Sequence, residues 1–206
     1  MAAMEEVCQA YWRPLYGFAL SMNGSHQDAE DCVQGFLTRV STGDFFQSVS
    51  ANRGKLRSLL LVSFKRYIVD TWKMQSSQKR GGSMRDIALD GIHVEDTSES
   101  DPSLAYDQEW AKVVVDEAMS NLRERYQKQG NEKTFDSLEA YIDGTPLENS
   151  SQTAEQLNLS SVALKSAIHR IRRRFGEELQ NMVRETVQHE NDVDEEIRWL
   201  IKVLQA

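Results

Sequence analysis

The side chains best suited to chemistry in this chain are cations and short polar groups set on a helical period. From Ser150 to Phe175 the sequence runs SSQTAEQLNLSSVALKSAIHRIRRRF. Leu164, Ile168, Ile171 and Phe175 recur at intervals of 4, 3 and 4, which puts them on one face of a helix. Ser161, Lys165, Ser166, His169, Arg170, Arg172 and Arg173 then fall off that face. Short polar side chains near a helix start can reach base edges in a major groove, and guanidinium groups further along pair with phosphates. A helical hairpin with a basic, solvated outer face would carry the same residues, so the segment alone leaves both readings open. Just before it, Ala154 is small enough to let two helices cross closely. Asn158 tolerates the left-handed turn conformation, Leu159 fills the core, and Ser160 caps the second helix. The arrangement is that of a helix-turn-helix.

A second cationic set lies upstream: Lys65, Arg66, Lys73, Lys79 and Arg80, with Phe64, Tyr67 and Trp72 among them. Cations can hold backbone phosphates, and aromatic rings can stack on unpaired bases. Phe64 and Tyr67 sit on the apolar stripe and read as core, which leaves Trp72 as the stacking candidate.

Catalytic and metal chemistry find no support. There is no glycine-rich phosphate loop, no nucleophile with a plausible base and no carboxylate pair in a defined frame. The four histidines, His26, His93, His169 and His189, form no i, i+4 ligand pair, so no metal and no cofactor are expected. Cys8 and Cys32 fit apolar helix faces and read as buried, reduced thiols. No apolar run approaches the roughly 18–20 residues of a membrane span. Glu5 and Glu6 precede any basic residue, the reverse of a signal peptide, so a cytoplasmic location is expected.

The net charge of −8 argues against nucleic acid only until its distribution is considered. Arg53 to Arg85 holds nine Lys or Arg against one acid, Asp70; Asp86 to Glu109 holds eight acids and no Lys or Arg. The basic block can meet phosphates, and the acidic one can repel or shield them. A solvated linker beside a basic helix is the plainer alternative.

These residues need helices to position them, and no strand pattern is present. Met4 to Met22 follows helical spacing with Pro14 inside it, so a kink or a first segment ending near Arg13 is expected. Ser25 caps a second helix with Ala29, Cys32, Val33, Phe36, Leu37 and Val40 inward and Gly35 on the opposite side. A long helix follows from about Lys55 to Met74. Periodicity is lost from Gln75 to Asp107, where Gly81-Gly82, the acids and Pro102 mark a mobile linker. Beyond it, Trp110, Val113, Val114, Ala118 and Leu122 form one apolar face and Phe135, Leu138 and Ile142 another; Gly144-Thr145-Pro146 closes that helix. Ile197, Leu200, Ile201 and Leu204 form a last one. The expected fold is all-α: two helical domains joined by an acidic flexible linker, the second containing the helix-turn-helix.

In this order the motifs resemble the compact, two-domain sigma factors of the extracytoplasmic-function (ECF) type in the sigma-70 family. DAEDCVQGFLTRV at 28–40 is similar to the family's polymerase-docking segment. GKLRSLLLVSFKRYIVDTWKMQSSQKRGG at 54–82 is similar to its promoter-melting helix, and ALKSAIHRIRRRF at 163–175 to its recognition helix. KRGG at 79–82, DPSLAYDQEWA at 101–111 and the terminal DEEIRWLIKVL resemble a planctomycete-like subgroup.

The resemblance implies a first domain (1–80, sigma region 2) that binds core RNA polymerase and reads and melts the minus-ten element. A linker follows at 81–103, then region 4 at 104–180 reading the minus-thirty-five element, and a helical extension at 181–206. Asp28, Glu30, Asp31 and Gln34 would dock on the polymerase. Lys65, Arg66, Trp72, Lys73, Lys79 and Arg80 would serve DNA in the first domain, and Ser161, Lys165, Ser166, His169, Arg170 and Arg173 in the second. The partners implied are core RNA polymerase and promoter DNA, with an anti-sigma factor as a regulator, no membrane, and a monomer when free. Gly35 stands where the family usually has an acid, and the C-terminal tail after Gly176, with eight acids and three bases, exceeds the minimal family. That tail is expected to pack on the second domain, the alternative being that it covers that domain's DNA face until a signal arrives.

Two other readings fit parts of the chain. An operator-binding regulator would dimerise on a palindromic site, but it does not need the basic-aromatic helix. A degenerate relative that only sequesters polymerase would fit Gly35 and the acidic excess.

Overall fold

The computed structural model describes residues 2–23, 25–42, 55–79, 102–144, 146 and 150–205. Among them there is no strand. The helices are α1 (Ala2–Asn23), α2 (His26–Ser41), α3 (Leu56–Lys79), α4 (Pro102–Lys128), α5 (Glu132–Leu138), α6 (Ser150–Gln156), α7 (Ser161–Thr186) and α8 (Val193–Leu204). Short 3-10 turns occupy Glu139–Tyr141 and Glu190–Asp192. The residues expected to form the acidic linker, 81–103, lie almost wholly outside the described ones; α4 begins at Pro102.

Packing divides the chain into two compact units. One comprises 1–113, 186–189 and 198–206, the other 114–185 and 190–197. The division falls within α4.

In the first unit, α1, α2 and α3 bury one face each. Tyr11, Leu15 and Phe18 meet Val33, Phe36 and Val40 and, from α3, Leu60, Phe64 and Ile68, all buried. The Phe64 ring lies 5.9 Å from Phe18 and 5.0 Å from Phe36, centroid to centroid, so Phe64 is core as its periodicity implied. Pro14 does not end the first helix. α1 continues through it, because the apolar positions on either side, Tyr11, Leu15 and Phe18, are all buried. That burial outweighs the helical bond a proline removes. Ser25 caps α2 as expected, its hydroxyl accepting from the Asp28 amide at 3.3 Å.

Gly35 is not on an open face. A Cβ there would overlap the Tyr67 hydroxyl and stand 3.4 Å from its Cζ, so the glycine lets α2 and the Tyr67 ring of α3 approach. Tyr67 in turn packs on Phe36 at 5.7 Å.

A charge is buried at the foot of α3. Arg57 is 8% exposed. Its guanidinium lies 3.0 Å from the Asp107 carboxylate and 3.5 Å from the centre of the Trp199 ring. The Tyr106 hydroxyl donates to the Arg57 carbonyl at 2.9 Å, and Trp110 donates to the Tyr11 hydroxyl at 3.2 Å. Burial holds the Tyr106 hydroxyl well above its ordinary pKa. A buried guanidinium persists only when its charge and donors are met, and here they are met from α4 and the C-terminal segment. The end of the tail, from Arg198, thus packs within the first unit, contrary to the expectation for that segment.

The second unit is built on Leu122 and Tyr126 of α4, Phe135 and Leu138 of α5, Tyr141, Ala154 of α6, and Leu164, Ala167, Ile168 and Ile171 of α7. Leu157, Leu159 and Phe175 pack against this cluster while partly exposed. Arg123 joins α4 to α5 through Asp136 at 3.0 Å and Glu139 at 2.7 Å.

α8 buries a different stripe from the one read in its sequence. Val193, Glu196, Leu200 and Val203 are inward, at intervals of 3, 4 and 3, while Ile201 and Leu204 are exposed. Both stripes satisfy helical spacing and share Leu200, so periodicity alone does not choose between them.

Gly35→Ala is expected to lower stability by about 1 kcal/mol net, overpacking against Tyr67 exceeding the helix-propensity gain. In thermal unfolding this is a fall of roughly 2–4 °C. Adding Tyr67→Phe removes the overlapping oxygen, so the double variant should recover that loss relative to Tyr67→Phe alone.

Candidate nucleic-acid interface

The α6–α7 segment is held by short-range bonds that its sequence specifies. The Leu159 amide donates to the Ala154 carbonyl at 2.8 Å and the Asn158 amide to the Glu155 carbonyl at 3.0 Å. Asn158 has φ +53°, the left-handed conformation that its position in the turn requires. Ser160 caps α7, its hydroxyl accepting from the Ala163 amide at 3.2 Å. The pair is anchored to Tyr141: its hydroxyl bonds that of Thr153 at 2.9 Å, and its carbonyl accepts from Arg172 Nε at 2.6 Å.

With Leu164, Ile168 and Ile171 inward, α7 brings Ser161, Lys165, Ser166, His169, Arg170 and Arg173 together on exposed surface. Arg173 has an i, i+4 partner in Glu177 at 3.4 Å, and Arg172 is tied to Tyr141 as above. Arg170 differs: it lines a cavity of about 420 Å³ with Arg174, Tyr126, Gln129 and Asn131. None of the described residues lining that cavity is acidic. Arg174 lies 5.3 Å from the centre of the Tyr126 ring, a cation–π contact that orients it. Sequence reasoning missed Arg174, although it follows Arg170 by one turn. Val162, on the same helix, is 73% exposed.

In the first unit, Asp28, Glu30, Asp31 and Gln34 are all exposed on α2, away from its buried Ala29, Val33, Phe36, Leu37 and Val40. Gln34 also borders a groove of about 540 Å³ between α1 and α2, lined by Cys8, Trp12, Leu37 and Thr38. Cys8 and Cys32 are only partly buried, not fully as their helix positions suggested. Burial still raises both thiols, Cys32 to about 11, which favours the protonated form.

The candidates on α3 are not equivalent. Arg66 and Lys73, seven residues apart on one face, are exposed, as is Trp72 at 40%. Lys65 is half-buried, donates to the Ser103 hydroxyl at 2.8 Å and lies 5.4 Å from the Phe18 ring centre. Lys79 is the last residue of α3, and Arg80 lies outside the described residues. Among the described residues no cluster could hold a metal ion. No described helix is long and apolar enough to cross a membrane.

A family model described as ECF sigma factor matches residues 3–181 of the chain. No curated protein matches it, and no solved structure does.

The left-handed turn makes a local prediction. Asn158→Gly should leave stability unchanged or raise it slightly, whereas Asn158→Val should cost about 1–2 kcal/mol. Urea unfolding of both variants, followed by circular dichroism, measures the difference.

Proposed function

The chain belongs to the ECF sigma factor family, and we propose that it divides promoter reading between its two helix sets. Membership means that it binds core RNA polymerase and directs transcription initiation at promoters, without a reaction of its own. In the finer division, α7 enters the major groove of the minus-thirty-five element, with Ser161, Lys165 and Ser166 nearest the base edges. His169, Arg170 and Arg173 lie further along, toward the phosphates. Arg66, Trp72 and Lys73 of α3 serve the minus-ten element, joined by Lys65, Lys79 and Arg80. Asp28, Glu30, Asp31 and Gln34 dock on the polymerase. By domain, 1–80 binds polymerase and the minus-ten element, 81–103 links, 104–180 reads upstream, and 181–206 is an extension.

The observation that carries this reading is the face of α7. A capped helix, fixed to Tyr141 by Arg172, presents cations and short hydroxyls outward within a chain of net charge −8. Local concentration of cations against the overall balance is what phosphate contact needs. The protein acts as one copy per polymerase, is a monomer when free, and works in the cytoplasm.

Capture of core RNA polymerase by the tagged protein tests the docking assignment. A stable one-to-one complex should form and be lost with Asp31→Lys. Absence of a complex, with the folded protein shifting DNA alone as a dimer, would replace this reading with an operator-binding regulator. Arg170→Gln should flatten the dependence of log K on log salt for holoenzyme binding promoter DNA by about one unit. An unchanged slope would remove Arg170 from the phosphate contacts.

A further inference from the structure

We propose that Val162 reads a thymine in the upstream promoter element by apolar contact with its C5-methyl group. The proposal rests on the DNA-reading role of α7 and adds a specificity determinant to it.

Val162 is the most exposed large apolar residue described, at 73%. It is the second residue of α7, inside the turn that Ser160 caps. The buried stripe of that helix is Leu164, Ala167, Ile168 and Ile171. Val162, Ser166, His169 and Arg173 succeed one another at 4, 3 and 4 residues, so they form the stripe on the far side. Val162 therefore stands at the outermost line of the helix, at the end that approaches base edges first.

Its neighbours specify the partner. Lys165, Arg170 and Arg173 make the rest of this face cationic, with His169 a polar member of it, which suits phosphates and not an apolar protein surface. Ser166 turns its hydroxyl hydrogen back to the Val162 carbonyl at 3.1 Å, leaving beside the valine a group able only to accept. A valine side chain has no hydrogen bond to offer a base. The apolar group that base pairs present in the major groove is the thymine methyl. Over any other base, the two valine methyls would cover polar edges without satisfying them.

The test uses holoenzyme assembled from core polymerase and the full chain. The preferred upstream element is first selected from a randomised promoter library. Each thymine of that element is then replaced singly by deoxyuridine, which removes only the methyl. With the wild-type chain, one replacement should weaken binding about four-fold, the effect of one buried methyl group. With Val162→Ser, which suits an exposed first helical turn, that same replacement should have no effect, and selection should lose its preference for thymine there. If no deoxyuridine position depends on Val162 while Lys165→Ala still weakens binding to the selected element, the thymine contact is wrong and the role of α7 stands. If neither variant changes binding or the selected upstream sequence, α7 does not read DNA, and both fall together.

Discussion

A guanidinium taken out of water at the foot of α3 ties three segments of the first unit together. Arg57 must be neutralised where it lies, and the carboxylate that does so comes from Asp107, 50 residues along the chain. The same guanidinium is faced by Trp199 from the C-terminal segment, and the backbone carbonyl of Arg57 is taken by Tyr106. Removing one partner of such a buried pair typically costs about 3–5 kcal/mol, because the other charge is left without compensation. One residue thereby fixes the start of α4 and the end of the tail against α3. In the sequence, Arg57 belongs to the basic block and Asp107 to the acidic one. At least at this point the two blocks neutralise each other inside the protein, and Arg57 is withdrawn from contact with phosphates.

That withdrawal separates two uses of the same side chain. Arg123, Arg125, Arg172 and Arg184 make ion pairs or hydrogen bonds between elements of the second unit or along its surface. Arg170 and Arg174 share a cavity whose described lining carries no acid. Two cations one helical turn apart repel, with a cost of a few tenths of a kcal/mol on an exposed helix. Stacking of Arg174 on Tyr126 offsets part of this and keeps the group oriented. The outward cations of α7 are thus positioned by structural ones, and counting arginines in the segment does not distinguish the two kinds.

What could be read from the sequence was local. Helical period separated Leu164, Ile168 and Ile171 from the exposed face of α7, and the caps at Ser25 and Ser160 and the turn at Asn158 rest on interactions within a few residues. The positions that misled are those whose environment is set from a distance. Gly35 looks like a weak spot on an open face until Tyr67 is placed over it. The Lys65 amine also meets groups far from it in the chain, the Ser103 hydroxyl and the Phe18 ring, which its sequence neighbours do not announce. In α8 two stripes share Leu200, and only tertiary packing selects the one containing Glu196. An exposed valine such as Val162 usually signifies nothing by itself. The role proposed for it rests on its position opposite the core of a helix that also carries exposed cations.

The net charge of −8 then fits the proposed division of labour instead of opposing it. Electrostatic attraction to DNA acts over a Debye length of about 8 Å at physiological ionic strength, so a helix face senses its own neighbourhood more than the total. The exposed cations of α7 can pair with phosphates once the helix is brought to the groove. At longer range the acidic excess opposes non-specific association, which draws most of its free energy from phosphate neutralisation. On the proposed division, this balance would weaken DNA binding by the free chain and make delivery by the polymerase count for more. For a protein whose family works as a component of RNA polymerase, weak binding alone is an advantage. It would keep the free chain off the bulk of the chromosome and leave base contacts, of the kind proposed for α7, to decide where the complex stops.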